Sequence, residues 1–309
     1  MPNNTTDARH QEALRLRNTG MSYGAIARAL GYGNYPSAAR YAVMAALRNQ
    51  VSTSSNTIRQ FGVEAEFYNI TPTMAIEALA AVGITATFEG YTHAVMANWK
   101  IVTDSSVTDT GTGRGTGLEL VSPILKGEEG LQELAKALDA LRNAGAKVNT
   151  TCGLHVHIDT AGMNGMQRKN FFNSYVRNQD IMDRLVSSSR RNNRRYTARY
   201  STSQADSYAN AIERGNDGGS RFYTLNICSF QKYGTLEFRQ HQGTLNGKKA
   251  VAWVKMLLAI AETAQTSQSE GYSVYPTVAE FLTANNVDES ATRVLLTREA
   301  QLNRQAVAA

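Results

Sequence analysis

Cysteine is scarce, with only Cys152 and Cys228 in 309 residues. So few thiols exclude a disulfide scaffold, and a reduced cytosolic chain is the expectation. Both cysteines read as small core residues, which argues against covalent cysteine chemistry. No stretch approaches the ~18 apolar residues that a membrane span requires, so no membrane partner is expected. The first six residues, Met1 to Thr6, are polar and lack the apolar centre of a secretory signal. Histidine is also rare, five in the whole chain, so two standing together carry information. Acidic residues are outnumbered, 26 against 32 Lys and Arg, giving a net charge of +6. A basic balance is compatible with nucleotide or nucleic acid but does not select between them. What is present is ample apolar content, 42%, enough for one large core and a small satellite unit.

Residues 1–50 read as a helical unit. Leu14 and Leu16 belong to a first helix, Ser22 caps a second through Ile26, Ala27 and Leu30, and Pro36 opens a third carrying Tyr41, Val43, Met44 and Leu47. The stretch TGMSYGAIARALGY resembles helix-turn-helix units of phage and bacterial DNA-binding proteins. Six arginines between Arg9 and Arg48 face one acid, Glu12, so DNA or a protein is the expected partner; a plain helical cap is the alternative. Residues 51–57 are Ser/Thr-rich and read as a linker. The main domain is expected over 58–270, and 271–309 as C-terminal helices. Within it, helices are predicted at Thr73–Ala81, Glu129–Asn143, Gln167–Val186 and Lys248–Thr266, and strands near Ile84–Phe88, Trp99–Thr103 and Tyr223–Cys228. Gly111 to Gly117, GTGRGTG, matches neither phosphate-loop fingerprint and is expected to be a hairpin connection.

Four further strands carry the chemistry. Side chains alternate faces along a strand. In FGVEAEF, Val63, Ala65 and Phe67 turn inward, and Glu64 and Glu66 share the outer face. Adjacent carboxylates repel unless a cation lies between them. In GLELVSP, Glu119 lies between two core leucines and points away from them. In CGLHVHID, Leu154, Val156 and Ile158 oppose His155 and His157, imidazoles suited to Mn²⁺ or Zn²⁺. In TLEFRQH, Leu236 and Phe238 turn inward while Glu237, Arg239 and His241 share the other face. An arginine beside a ligating carboxylate can reach a phosphate held by that metal. Each strand alone also fits a solvated sheet face. Aligned in one sheet, they would form a basin of at least four acids and two imidazoles, costly without metal.

The series GVEAEF, LELVSP, CGLHVHID and TLEFRQHQGT, in this order, resembles the amidoligase family, carboxylate–amine ligases of glutamine-synthetase-like fold. The resemblance covers about residues 58–265, and WKIVTDSS with Asp104 fits the strand before LELVSP. It implies an α+β fold: a curved, mainly antiparallel sheet with helices on one face, beside the small all-α N-terminal unit. It implies ATP and Mg²⁺ (or Mn²⁺) as cofactors, with Glu64, Glu66, Glu119, His155 and Glu237 as metal ligands. Arg239 and Glu66 would be catalytic. His157, Asp104, Asn226 and His241 would line the ATP or substrate site. Substrates would be a small-molecule or peptide carboxylate and an amine, joined through an acyl phosphate, in the cytoplasm, or a host cytoplasm if phage-encoded.

Arg184, Arg190, Arg191, Arg194, Arg195 and Arg199 fall in a stretch without any acid. Arg195 and Arg199 are the expected phosphate contacts, since Tyr196 and Tyr200 could order that loop; a solvated basic loop is the alternative. Two other functions stay open on the sequence: a DNA-binding regulator whose ligase-like domain only binds nucleotide, and a metal-dependent hydrolase using the same Glu/His basin.

Overall fold

The computed structural model describes residues 4–19, 21–40, 42, 43, 46, 58–90, 95–109 and 117–307. The expected linker 51–57, residues 111–116 of the glycine loop, and Tyr41, Met44 and Leu47 lie outside them. Two compact units result: residues up to 57 with Thr160–Asn164, and Ile58–Asp159 with Gly165–Ala309.

The first unit holds α1 (Asn4–Asn18), α2 (Tyr23–Ala29) and a third helical stretch covering residues 36–40, 42, 43 and 46. Ser22 caps α2 by accepting from Ala25 N at 3.3 Å. Ala13, Leu14, Ile26, Ala27, Ala39, Ala42, Val43 and Ala46 form its own small core.

The second unit is built on one sheet in the order β2-β3-β4-β1-β6-β8-β7, with β5 (Leu125–Lys126) also pairing with β1. The strands are β1 (Gln60–Phe67), β2 (Ala86–Phe88), β3 (Trp99–Asp104), β4 (Gly117–Val121), β6 (Gly153–Asp159), β7 (Leu225–Asn226) and β8 (Thr235–Gln242). All neighbours are antiparallel except β2 and β3. The α+β, mainly antiparallel architecture expected from the sequence is the one observed.

Alternation along the strands sorts the sheet into two faces. Phe61, Val63, Ala65 and Phe67 of β1 join Leu154, Val156 and Ile158 of β6 and Leu236 and Phe238 of β8 on a buried apolar face. Helices α3 (Pro72–Ala80), α4 (Gly127–Asn143), α5 (Gly165–Val176) and α9 (Gly247–Thr266) supply its cover, with α9 packed against β6, α4 and α5. Leu131, Leu134, Leu138 and Leu141 recur at helical spacing on α4 and are all buried. Burying each contributes about 1.5–3 kcal/mol.

Three elements depart from the sequence expectation. The helix predicted over Gln167–Val186 breaks after Val176, and α6 (Gln179–Leu185) follows. Buried Asn178 explains the break: its amide donates to Ser174 O and Ser273 O, and its Oδ1 accepts from Tyr275 N. The strand predicted at Tyr223–Cys228 shrinks to β7, followed by the one-turn α8 (Ser229–Tyr233). An unpredicted α7 (Thr202–Glu213) starts with a capping box made by Ser201 and Gln204. The C-terminal pair is present as α10 (Val278–Ala284) and α11 (Glu289–Val307). Among the described residues no helix is long and apolar enough to cross a membrane.

Candidate active site

The polar residues meet because the sheet register aligns them. Glu64 pairs directly with His155 across β1 and β6. Glu66 pairs with Glu119 across β1 and β4, and His157 with Glu237 across β6 and β8. Asn226 lies opposite Glu237 from β7. Direct cross-strand partners share a face, with Cβ atoms roughly 4.5–5.5 Å apart. Four strands thus deliver one continuous polar basin on the face opposite the helices, and β3 extends it with Asp104.

His155 is buried at its centre. Its Nδ1 is 3.3 Å from Glu64 Oε2 and 3.9 Å from Glu237 Oε1, and its Nε2 is 3.7 Å from Glu66 Oε1. His157 Nδ1 stands 3.0 Å from the Thr235 hydroxyl, which aims Nε2 at Glu64 Oε1, 3.6 Å away. Glu66 Oε2 accepts from Gly153 N at 2.6 Å. Glu237 is held from two sides: Asn226 Nδ2 donates to Oε2 at 2.6 Å, and Arg239 Nη1 pairs with Oε1.

The carboxylates titrate in opposite directions. Burial and then the charges of Glu64, Glu66, Asp104 and Glu237 push the Glu119 carboxyl well above the usual range. Burial works to raise Glu64 as well, but hydrogen bonds and charge from His155 and His157 outweigh it and hold Glu64 well below that range. Glu237 is also lowered: burial opposes, and Arg239 and His157 prevail. His157 is raised, because Glu64 and Glu237 overcome the effect of its burial. So divided a set of acids marks the basin as a candidate functional site.

Three overlapping triads have ligand atoms within 4.8 Å of one another: Glu64–His157–Glu237, Glu64–Glu119–His155 and Glu66–Asp104–Glu119. Oxygen-rich donors with one imidazole suit hard divalent cations such as Mg²⁺ or Mn²⁺. The donor chemistry and the displaced Glu119 carboxyl therefore both fit a divalent metal. The geometry gives His157 and Asp104 the same ligand positions as the five donors singled out in the sequence.

Other residues sit elsewhere. Strict alternation puts His241 beside Arg239 on the polar face, but the register slips between Leu154 and Val156, leaving an extra residue in β8. That bulge carries Gln240 and His241 to the helix side. Gln240 accepts from Tyr175 Oη at 2.9 Å, and the His241 ring lies 5.0 Å from that of Trp253. Burial pushes the His241 pKa down to about 3. Of the two chosen arginines, Arg199 is bound to Asp180 and Asp183 at 2.5 Å each, and Arg195 is exposed over the Tyr196 ring. Tyr200 does order its segment, buried and stacked on Tyr223.

Two residues that strand reasoning passed over belong to the basin's surroundings. Arg190 alone of the six loop arginines is buried. Its Nη2 donates to Arg239 O at 2.7 Å and lies 2.9 Å from where a Cβ on Gly153 would be. The Nε atoms of Arg190 and Arg239 are both buried without a hydrogen-bond partner. Lys100, buried on β3 four places before and on the same face as Asp104, is lowered by its burial, with the charges of Glu64 and Glu119 opposing in part. Its alternation with Asp104 in WKIVTD was the available signal. Nothing local distinguished Arg190 from its five neighbours.

Structural comparison aligns the chain with solved structures at low identity. The GmaS/ADP complex is 13% identical and aligns over 90% of this chain and 76% of that one, with a TM-score of 0.44. A structure described as a novel glutamine synthase homolog is 14% identical over 89% and 72%, TM-score 0.40. Plasmodium falciparum glutamine synthetase is 9% identical over 87% and 76%, TM-score 0.37. No curated protein matches the sequence. The family model described as "Putative amidoligase enzyme" matches residues 57–261, more than half of the chain and a span containing every donor of the basin. On that match the chain belongs to the amidoligase family.

Proposed function

We propose that the chain is an ATP-dependent carboxylate–amine ligase that forms an amide or peptide bond through an acyl phosphate. The observation carrying this reading is the convergence of five carboxylates and two imidazoles on one sheet face, beside buried Arg190 and half-buried Arg239. Glu64, Glu119 and His155 would hold one Mg²⁺ or Mn²⁺, and Glu64, His157 and Glu237 a second, with Glu66 and Asp104 completing the donor set. Bound there, the cations neutralise phosphate charge and act as Lewis acids.

The remaining work falls to the chain's own groups. Arg239, anchored on Glu237, offers its guanidinium to the transferring phosphoryl group, a contact worth several kcal/mol in phosphoryl transfer. Arg190, tied to the Arg239 carbonyl, adds a second positive charge in low dielectric. Asn226 fixes the Glu237 carboxylate, and Thr235 fixes the His157 ring. An oxygen of the substrate carboxylate attacks the γ-phosphorus and the bond to ADP breaks. The amine then attacks the acyl carbon and phosphate leaves.

The test is ADP release by purified protein given ATP, Mg²⁺ and mixtures of amino acids or peptides. Glu66→Gln and Arg239→Ala should each abolish it. Turnover unchanged in both, or amide hydrolysis without ATP, would overturn the assignment.

A further inference from the structure

The N-terminal unit is the one large feature that ligase chemistry leaves unused. Residues 1–57 hold six arginines and no lysine against two acids, Asp7 and Glu12. The structure separates those arginines by their engagements. Arg15 is bound to Glu12 at 2.6 Å, which consumes one of the two acids. Arg9 lies over the Tyr32 ring at 5.7 Å. Arg17 lies over Tyr23 at 4.6 Å and donates to Met21 O at 2.9 Å. Those contacts brace the unit from within.

Arg28 and Arg40 are different, because both project from exposed positions on neighbouring helices. The third helical stretch buries Ala39, Ala42, Val43 and Ala46, so its packed side is fully occupied by the unit's own core. Among its described residues Pro36, Ser37 and Arg40 are exposed, and Tyr35 just ahead of it is 70% exposed. Gly24 shows that α2 shares this surface. A Cβ built there would lie 3.9 Å from Arg28 Nη1 and 4.0 Å from Pro36 Cγ. The start of the third helix and the Arg28 guanidinium therefore flank one spot.

We infer that this two-helix face, with Arg28 and Arg40 at its edges and Tyr35, Pro36 and Ser37 between, docks on double-stranded DNA. The charge is complementary: six arginines stand against two acids in residues 1–57, and one of those acids, Glu12, is already paired with Arg15. A helix about 10–12 Å across matches a B-form major groove ~12 Å wide. The deep, narrow major groove of A-form RNA does not admit it. An acidic protein surface would call for an apolar centre within the patch. Among the described residues the exposed side carries one large ring, Tyr35.

The experiment is fluorescence anisotropy of a labelled mixed-sequence DNA duplex titrated with the full chain over a series of salt concentrations. Binding should strengthen at low salt, with a logarithmic slope of about −0.9 per phosphate contacted. Arg28→Gln and Arg40→Gln should each make that slope shallower by about 1, with the circular dichroism spectrum unchanged. Arg15→Gln should leave the slope as it is. The inference is overturned by absent binding at low salt, or by slopes insensitive to Arg28 and Arg40. Equal loss in Arg15→Gln, or equal affinity for an RNA duplex or for polyglutamate, would also overturn it. None of these outcomes depends on whether the chain turns over ATP.

Discussion

Replacing Glu119 by Gln gives opposite results according to whether the basin is a cation site or an ordinary acidic surface. Its ligand atoms lie within 4.8 Å of donors on Glu64 and His155 in one triad, and of Glu66 and Asp104 in another. Two like charges at such a separation repel by ~3.5 kcal/mol at an effective dielectric of 20, and by ~1 kcal/mol in water. Glu119 is half-buried, so relief of about 1–3 kcal/mol is expected once solvent screening is included. In a domain of this size each kcal/mol moves the melting temperature by about 2–4 °C. Scanning calorimetry in EDTA should therefore show Glu119→Gln melting roughly 3–8 °C above the parent chain. Mn²⁺ titration followed by electron paramagnetic resonance should show affinity reduced at least about tenfold, since a carboxylate donor is lost. A variant that melts lower without metal, or keeps its full Mn²⁺ affinity, would refute the cation reading of this cluster.

Gly153→Ala should disturb the same site by a different route. The new Cβ would meet His155 Nε2 at 2.8 Å and Arg190 Nη2 at 2.9 Å. Overpacking of this kind costs about 1–3 kcal/mol, and displacing the His155 ring should weaken Mn²⁺ binding on the order of tenfold, read by the same titration. Buried His241, with its pKa near 3, must gain a proton on unfolding between that value and the usual histidine range. The unfolded chain binds more protons there, so the parent's stability should rise with pH across this window, by at most on the order of 5 kcal/mol. Chemical denaturation of His241→Phe should show a flatter pH dependence; an unchanged slope would remove His241 as the source. Arg199→Ala should raise the KM for ATP several-fold and lower stability, because Asp183 loses its cationic partner and keeps only the Gln240 hydrogen bond, and the Arg190 segment loses its anchor. Arg195→Ala should change neither, and a larger effect of Arg195 on KM would reverse the assignment of the two.

Much of this site was legible because strand alternation is a local signal. Glu64, Glu66, Glu119, His155, His157 and Glu237 each sit between apolar neighbours, and the apolar side of a strand in a one-sided sheet is unambiguous. The four leucines of α4 were equally plain. What escaped depends on long-range contacts. The β8 bulge adds one residue, and nothing within TLEFRQH records that Gln240 turns inward to Tyr175 and Asp183. Arg190 and Arg199 stand in the same basic run. Only the fold buries one against Gly153 and Arg239 and hands the other to two aspartates on α6. The break at Asn178 was hidden for the same reason, since two of its three partners lie nearly a hundred residues further along the chain.

Six donors of the basin face one another in pairs across a main-chain ladder, so the distances within those pairs are dictated by strand spacing. Loops that rim a sheet can lengthen or change composition without altering that pitch. In the proposed ligase, a scaffold of this kind would separate two tasks: the backbone would keep the inorganic part of the site constant, and the surrounding segments would be free to decide which acid and which amine are admitted.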